Sequence, residues 1–187
     1  MKGLDETFAR TVEVLESTSV PYMVVGSVAA AYHGMARSTQ DLDMVVELGR
    51  PEVDGVVAAF QAADFYVAEA AAASAVRTGG MFNVVDNRTS WKVDLVIRKN
   101  RPFSESEFAR RIRGRVLDVD AWIASAEDMI LAKLEWGRRG ESERQRRDAA
   151  GIVAMQGGDL ELAYIEHWAD ELGVTAEWAT IRPKPSA

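Results

Sequence analysis

Three aspartates define the chemistry this sequence can perform. Asp41 and Asp43 stand two apart in Asp41-Leu-Asp-Met-Val-Val46, and Asp94 lies inside Val93-Asp-Leu-Val-Ile97. Residues two apart on a strand point to the same face. Carboxylates on one face of an apolar strand cost energy unless a cation or hydrogen-bond donors neutralise them. The Asp41–Asp43 pair alone also fits a structural role, with one group in solvent and the other capping a turn. Asp94 favours chemistry. Three acidic residues on strands of one sheet suit a pair of Mg²⁺ or Mn²⁺ ions clamping the attacking and leaving oxygens of a phosphoryl or nucleotidyl transfer.

The flanking sequence supplies the elements that position these groups. Residues 22–25 form a short apolar strand, and Gly26-Ser27 opens a small-residue helix over 28–33, with Ser27 as its cap and Gly34 as its stop. A polar loop containing Arg37 leads to the strand 42–47. An amphipathic helix over 5–17 precedes all of this. Downstream, Pro51 stands at the first position of a helix ending near residue 63, followed by a strand at 65–67 and an Ala-rich segment, 68–76, that fits no single element. Strands at 81–85 and 92–97 join through Asp86-Asn87-Arg88, and a helix over 104–111 and an edge strand over 116–119 complete this half.

From Ser125 the apolar period is helical, with Ser125-Ala-Glu-Asp128 as a capping box and helices over 126–136, 142–155, 160–172 and 175–180. Lys133 falls within the stripe Met129, Ile130, Leu134, Gly137. A lysine on an inward face needs an anionic partner, unless it snorkels to the edge of the stripe. Asp148 shares a face with Ile152 and Met155, so a structural Lys133–Asp148 ion pair between adjacent helices competes with a functional role for both.

The remaining polar features favour ordinary roles. His33 closes its helix, where an imidazolium complements the dipole, and His167 receives no function. Arg138, Arg139, Arg144, Arg146 and Arg147 cluster about one interhelical loop as a solvated face that is also able to attract RNA. Trp136 beside them suits core packing better than base stacking.

Bulk composition narrows the class. The chain has 187 residues, 48% of them apolar and 27% charged, as an ordinary globular protein does. A net charge of −7 argues against a general nucleic-acid coat but permits a local basic groove. Absence of cysteine excludes disulfides, thiol chemistry and Cys-bound zinc. The first residues are too polar for a secretory segment, and the charge-free stretch 20–36, broken by Pro, Gly, Ser and His, is too short to span a bilayer. The expectation is a cytoplasmic protein, bacterial in style.

The ordered set Gly26-Ser27, thirteen intervening residues, Asp41-Leu-Asp43 and a later Val93-Asp94-Leu95 resembles the signature of the DNA polymerase β-type nucleotidyltransferase superfamily. His33-Gly34, Arg37-x-Thr39-x-Asp41, Lys133 and Arg147-Asp148 make it most similar to small bacterial proteins related to AbiEii-type toxin nucleotidyltransferases. The resemblance spans about residues 20–155. It implies an α/β polymerase β-like fold: a small mixed sheet flanked by helices over residues 1–120, and a helical C-terminal subdomain over 121–187.

The resemblance also implies roles. Gly26 and Ser27 would contact nucleotide phosphates; Asp41, Asp43 and Asp94 would bind Mg²⁺ or Mn²⁺, Asp94 also assisting the acceptor hydroxyl. Lys133 would hold the triphosphate, Asp148 would complete the site, and Arg37 would steady a phosphate. The implied substrate is a nucleoside triphosphate, the acceptor an RNA, protein or small-molecule group, and a cognate antitoxin a further partner. A catalytically silent nucleotide-binding or toxin–antitoxin partner module of the same fold is the alternative.

Overall fold

The central strands carry different chemistry on their two faces. In the computed structural model, which describes residues 3–35, 41–140 and 142–183 with Arg139 in backbone alone, strand β2 (Leu42–Val46) runs parallel to β5 (Lys92–Ile97). The register pairs Leu42 with Val93, Met44 with Leu95 and Val46 with Ile97, and all six side chains are buried. The alternate positions pair Asp43 with Asp94 and Val45 with Val96 on the opposite face. Packing the apolar face therefore aims the carboxylates at the other one.

Seven strands form one mixed sheet in the order β3-β4-β5-β2-β1-β7-β6. Its remaining members are β1 (Tyr22–Val24), β3 (Phe65–Val67), β4 (Met81–Asp86), β6 (Ile112–Val116) and β7 (Val119–Ile123). Strand β1 is antiparallel to β2 and parallel to β7, and β4 is antiparallel to β5. Helices α1 (Leu4–Ser17), α2 (Gly26–Tyr32), α3 (Val53–Ala62), α4 (Glu69–Thr78) and α5 (Pro102–Ala109) connect them. The C-terminal part holds α6 (Ala126–Arg139), α7 (Glu143–Gln156), a 3₁₀ turn at Gly157–Asp159, α8 (Leu162–Glu171) and α9 (Thr175–Ile181). No helix among the described residues is long and apolar enough to cross a membrane.

Several local expectations change. The Ala-rich segment is α4, stopped by Gly79 in the left-handed conformation. Helix α3 begins at Val53, leaving Pro51 in the preceding turn, and α5 starts two residues before the expected position, with Pro102 at its N-terminus. The single expected edge strand is a hairpin, β6–β7. It turns at Leu117-Asp118, both at positive φ (46° and 64°), without the glycine or asparagine that announces such a turn. The sheet thus extends to Ile123, and helices take over at Ala126.

Ser27 does not cap α2: the cap position is Val25, and Ser27 is buried in the first turn. Ser125 does cap α6, accepting from the Asp128 backbone N–H at 3.2 Å while its hydroxyl donates to the Asp128 carboxylate at 2.7 Å. His33 is buried and donates from Nε2 to the Ala124 carbonyl at 2.8 Å. Burial pushes its pKa down, so it is a neutral tie between α2 and the end of β7 rather than a cation facing the helix dipole.

Candidate active site

The carboxylate face of the sheet is the floor of a cavity of about 410 Å³. The β1–α2 turn forms one wall, α5 and α6 cover it, and Arg144 and Gln145 of α7 stand at its edge. Gly26, Ser27, Asp41, Asp43 and Lys133 all line it. Helices α5 and α6 bring both apolar and charged side chains to this space, among them Phe103, Glu107, Met129 and Lys133.

Gly26 and Asp43 are built against one another. The Val25 N–H donates to the Asp43 carbonyl at 3.0 Å, which holds the turn beside β2. Gly26 has φ of 65°, and a Cβ there would collide with Asp43 Oδ2. Gly26→Ala is thus expected to cost at least about 1–2 kcal/mol from the left-handed backbone alone, and to push the Asp43 carboxylate off its seat. Chemical denaturation checks this, and wild-type stability in the variant would contradict the close approach.

Asp41, Asp43 and Asp94 are brought together. Burial pushes the Asp43 carboxyl up, and the neighbouring Asp94 and Asp41 add to it, while Lys92 and Lys133 oppose it. Asp94 accepts from the Asn83 amide on β4, and Lys92 Nζ lies 3.1 and 3.2 Å from its two oxygens. The same ammonium is 3.4 Å from Asp41 Oδ1. Among the described residues, no three His, Cys, Asp or Glu side chains are arranged to hold one metal ion.

Lys133 and Asp148 form the buried pair that competes with a phosphate role. Lys133 Nζ donates to Asp148 Oδ2 at 3.0 Å and to Gln145 Oε1 at 3.2 Å, and both charged side chains are 6% exposed. Met155, expected on the buried face beside Asp148, is instead 60% exposed. Arg37 lies outside the described residues.

The far end of the cavity holds polar groups that the sequence did not single out. Arg101 makes a bidentate pair with Glu135, at 2.6 and 2.7 Å. Asp128 is buried and accepts from Tyr164 at 2.7 Å, yet burial still pushes its carboxyl up. Glu107 is raised to about 7, by burial first and by the Asp128 charge second. Its folded state holds a proton to higher pH than the unfolded chain does. The stability this confers is full below the ordinary glutamate range and is lost as pH rises toward about 7. Glu107→Gln is expected to exceed wild type in stability at about pH 8, by on the order of 1–3 kcal/mol, with the gap closing by about pH 4. Thermal unfolding at both pH values measures it; a gap independent of pH would contradict the assignment.

Trp136 departs from its expected core position. It is 63% exposed and lines the cavity rim near Arg144. Arg146 and Arg147 point to solvent, whereas Arg138 donates to the Gly173 carbonyl at the α8–α9 junction. The basic cluster is therefore only partly a free face.

No protein-family model and no curated protein matches this chain. Solved structures do. An antigenic nucleotidyltransferase-like protein from Paracoccidioides brasiliensis superposes with a TM-score of 0.57 at 15% identity, over 97% of this chain and 94% of that one. ANT(2'')-Ia in complex with adenylyl-2''-tobramycin gives 0.59 at 11% identity, over 90% and 96%. JHP933 from Helicobacter pylori gives 0.51 at 15% identity, over 94% and 77%. At such identities the likeness speaks of architecture: the chain has the mixed α/β fold of nucleotidyltransferase-like proteins.

Proposed function

We propose that this protein is a metal-dependent nucleotidyltransferase. It moves a nucleoside monophosphate from a nucleoside triphosphate to an acceptor hydroxyl or phosphate. The observation that carries this reading is the parallel register that sets Asp43 beside Asp94, with Gly26 seated on the Asp43 carboxylate at the cavity wall.

Asp41 and Asp43 fit a divalent cation: both line the cavity, and burial with like-charged neighbours leaves Asp43 favouring a positive partner. Mg²⁺ or Mn²⁺ bound there would supply charge neutralisation at the phosphates. The turn at Gly26 and Ser27 supports the triphosphate, and Lys133 reduces its charge from the opposite wall. Arg37 and Asp148 complete the nucleotide side. An acceptor oxygen attacks the α-phosphorus and gives its proton to Asp94; the bond to the β-phosphate oxygen breaks, and pyrophosphate leaves.

An RNA, a protein or a small molecule can present the acceptor oxygen, as the adenylylated tobramycin of one structural neighbour illustrates for that protein. The exposed Trp136 and Arg144 at the rim favour an RNA end. The AbiEii-type resemblance extends this to a toxin with a cognate antitoxin, working in a bacterial cytoplasm. One observation favours a catalytically silent nucleotide-binding or partner module: Lys133 is already engaged by Asp148.

Thermal unfolding with each of the four common triphosphates, with and without Mg²⁺, tests the shared premise. Binding confined to the folded state raises the melting temperature, and a Mg²⁺-dependent rise with at least one nucleotide is expected. No shift with any of them at millimolar concentration would overturn both the enzyme reading and the silent nucleotide-binding reading.

A further inference from the structure

Resting on the nucleotidyltransferase reading, we infer that Lys92 stands in for one of two divalent cations: its ammonium bridges Asp41 and Asp94, so the site takes a single divalent ion, on Asp41 and Asp43. Lys92 is two residues before Asp94 on β5, hence on the same face. Its Nζ lies 3.1 and 3.2 Å from the two Asp94 oxygens and 3.4 Å from Asp41 Oδ1. A second divalent ion between Asp41 and Asp94 would need those oxygens at about 2.0–2.2 Å. An ion there would have to displace the ammonium, which is in contact with both carboxylates.

A further feature agrees. Asn83, opposite Asp94 in the β4–β5 register, donates its amide to the same carboxylate, so Asp94 is served by two protein donors before any ion arrives. Lys92 is half-exposed, so electrostatic attraction rather than packing keeps it in place.

Equilibrium dialysis of Mn²⁺ against the full chain, with saturating non-hydrolysable ATP analogue in both compartments, counts the ions directly. One Mn²⁺ per chain is expected for wild type and for Lys92→Arg, which keeps the positive charge. Two are expected for Lys92→Met, with circular dichroism confirming the fold and Lys92→Gln as a second neutral variant. Two ions in wild type, or one in both neutral variants, would overturn the inference while leaving the nucleotidyltransferase reading intact. Retention of no Mn²⁺ together with no nucleotide binding would overturn both.

Discussion

Replacing Asp43 by Asn is expected to reduce nucleotidyl transfer by at least about 10³-fold, because an amide cannot hold the cation that offsets developing phosphate charge. The same change is expected to stabilise the fold. Asp43 is raised above its ordinary value by burial and by Asp94 and Asp41. Its contribution to stability is therefore lost as pH rises from the ordinary carboxylate range through that raised value. Asn never ionises and escapes the loss. Transfer rate and thermal midpoint measured on one preparation should move in opposite directions at neutral pH and show little difference in midpoint in acid. An active Asp43→Asn would remove this residue from the site; an inactive variant that is also less stable would mean that the carboxylate serves packing.

Breaking the Lys133–Asp148 pair is expected to have the largest effect on stability. The two groups are 3.0 Å apart and almost wholly buried, so Lys133→Met takes the ammonium from a carboxylate buried between α6 and α7, at a cost of up to about 3–5 kcal/mol. Lys133→Met with Asp148→Leu should recover much of that loss, and a double-mutant cycle by denaturant unfolding gives the coupling. The recovered double variant then tests the nucleotide role of the pair. Weakened triphosphate binding in that folded protein is the expected result. Strong coupling with unchanged nucleotide affinity would make Lys133 a structural residue alone.

The parts of this account that were legible in the sequence are those set by short-range periodicity. Alternation along 41–46 and 93–97 placed the aspartates on single faces, and Ser125 announced the start of α6. The small-residue turn at Gly26 was visible too, although its reason, the Asp43 carboxylate lying against it, is tertiary. What stayed hidden depends on contacts distant in sequence. The meeting of Asp43 with Asp94 is a matter of parallel register, and Asn83 joins them through an antiparallel one. Lys92 was findable, since it alternates with Asp94, but only the fold shows it reaching Asp41 as well.

Arg101 and Glu135 pair across 34 residues, from the start of α5 to a buried position on α6. The β6–β7 hairpin escaped because Leu117-Asp118 adopts positive φ without the usual residues. Trp136 and Met155 misled for one reason: large apolar side chains at helical spacing read as core, while these two face outward at the ends of α6 and α7.

The most direct test of the central claim follows the α-phosphate. The protein is incubated with each α-³²P-labelled triphosphate and Mg²⁺, together with total cellular RNA, protein or a small-molecule hydroxyl panel; label is sought in the acceptor, and the unlabelled pyrophosphate released is assayed separately. The account predicts α-label on one acceptor class, matched by equimolar pyrophosphate and lost in Asp43→Asn. Triphosphate binding with no label transferred and no pyrophosphate released, across all four nucleotides and every acceptor class, would contradict it.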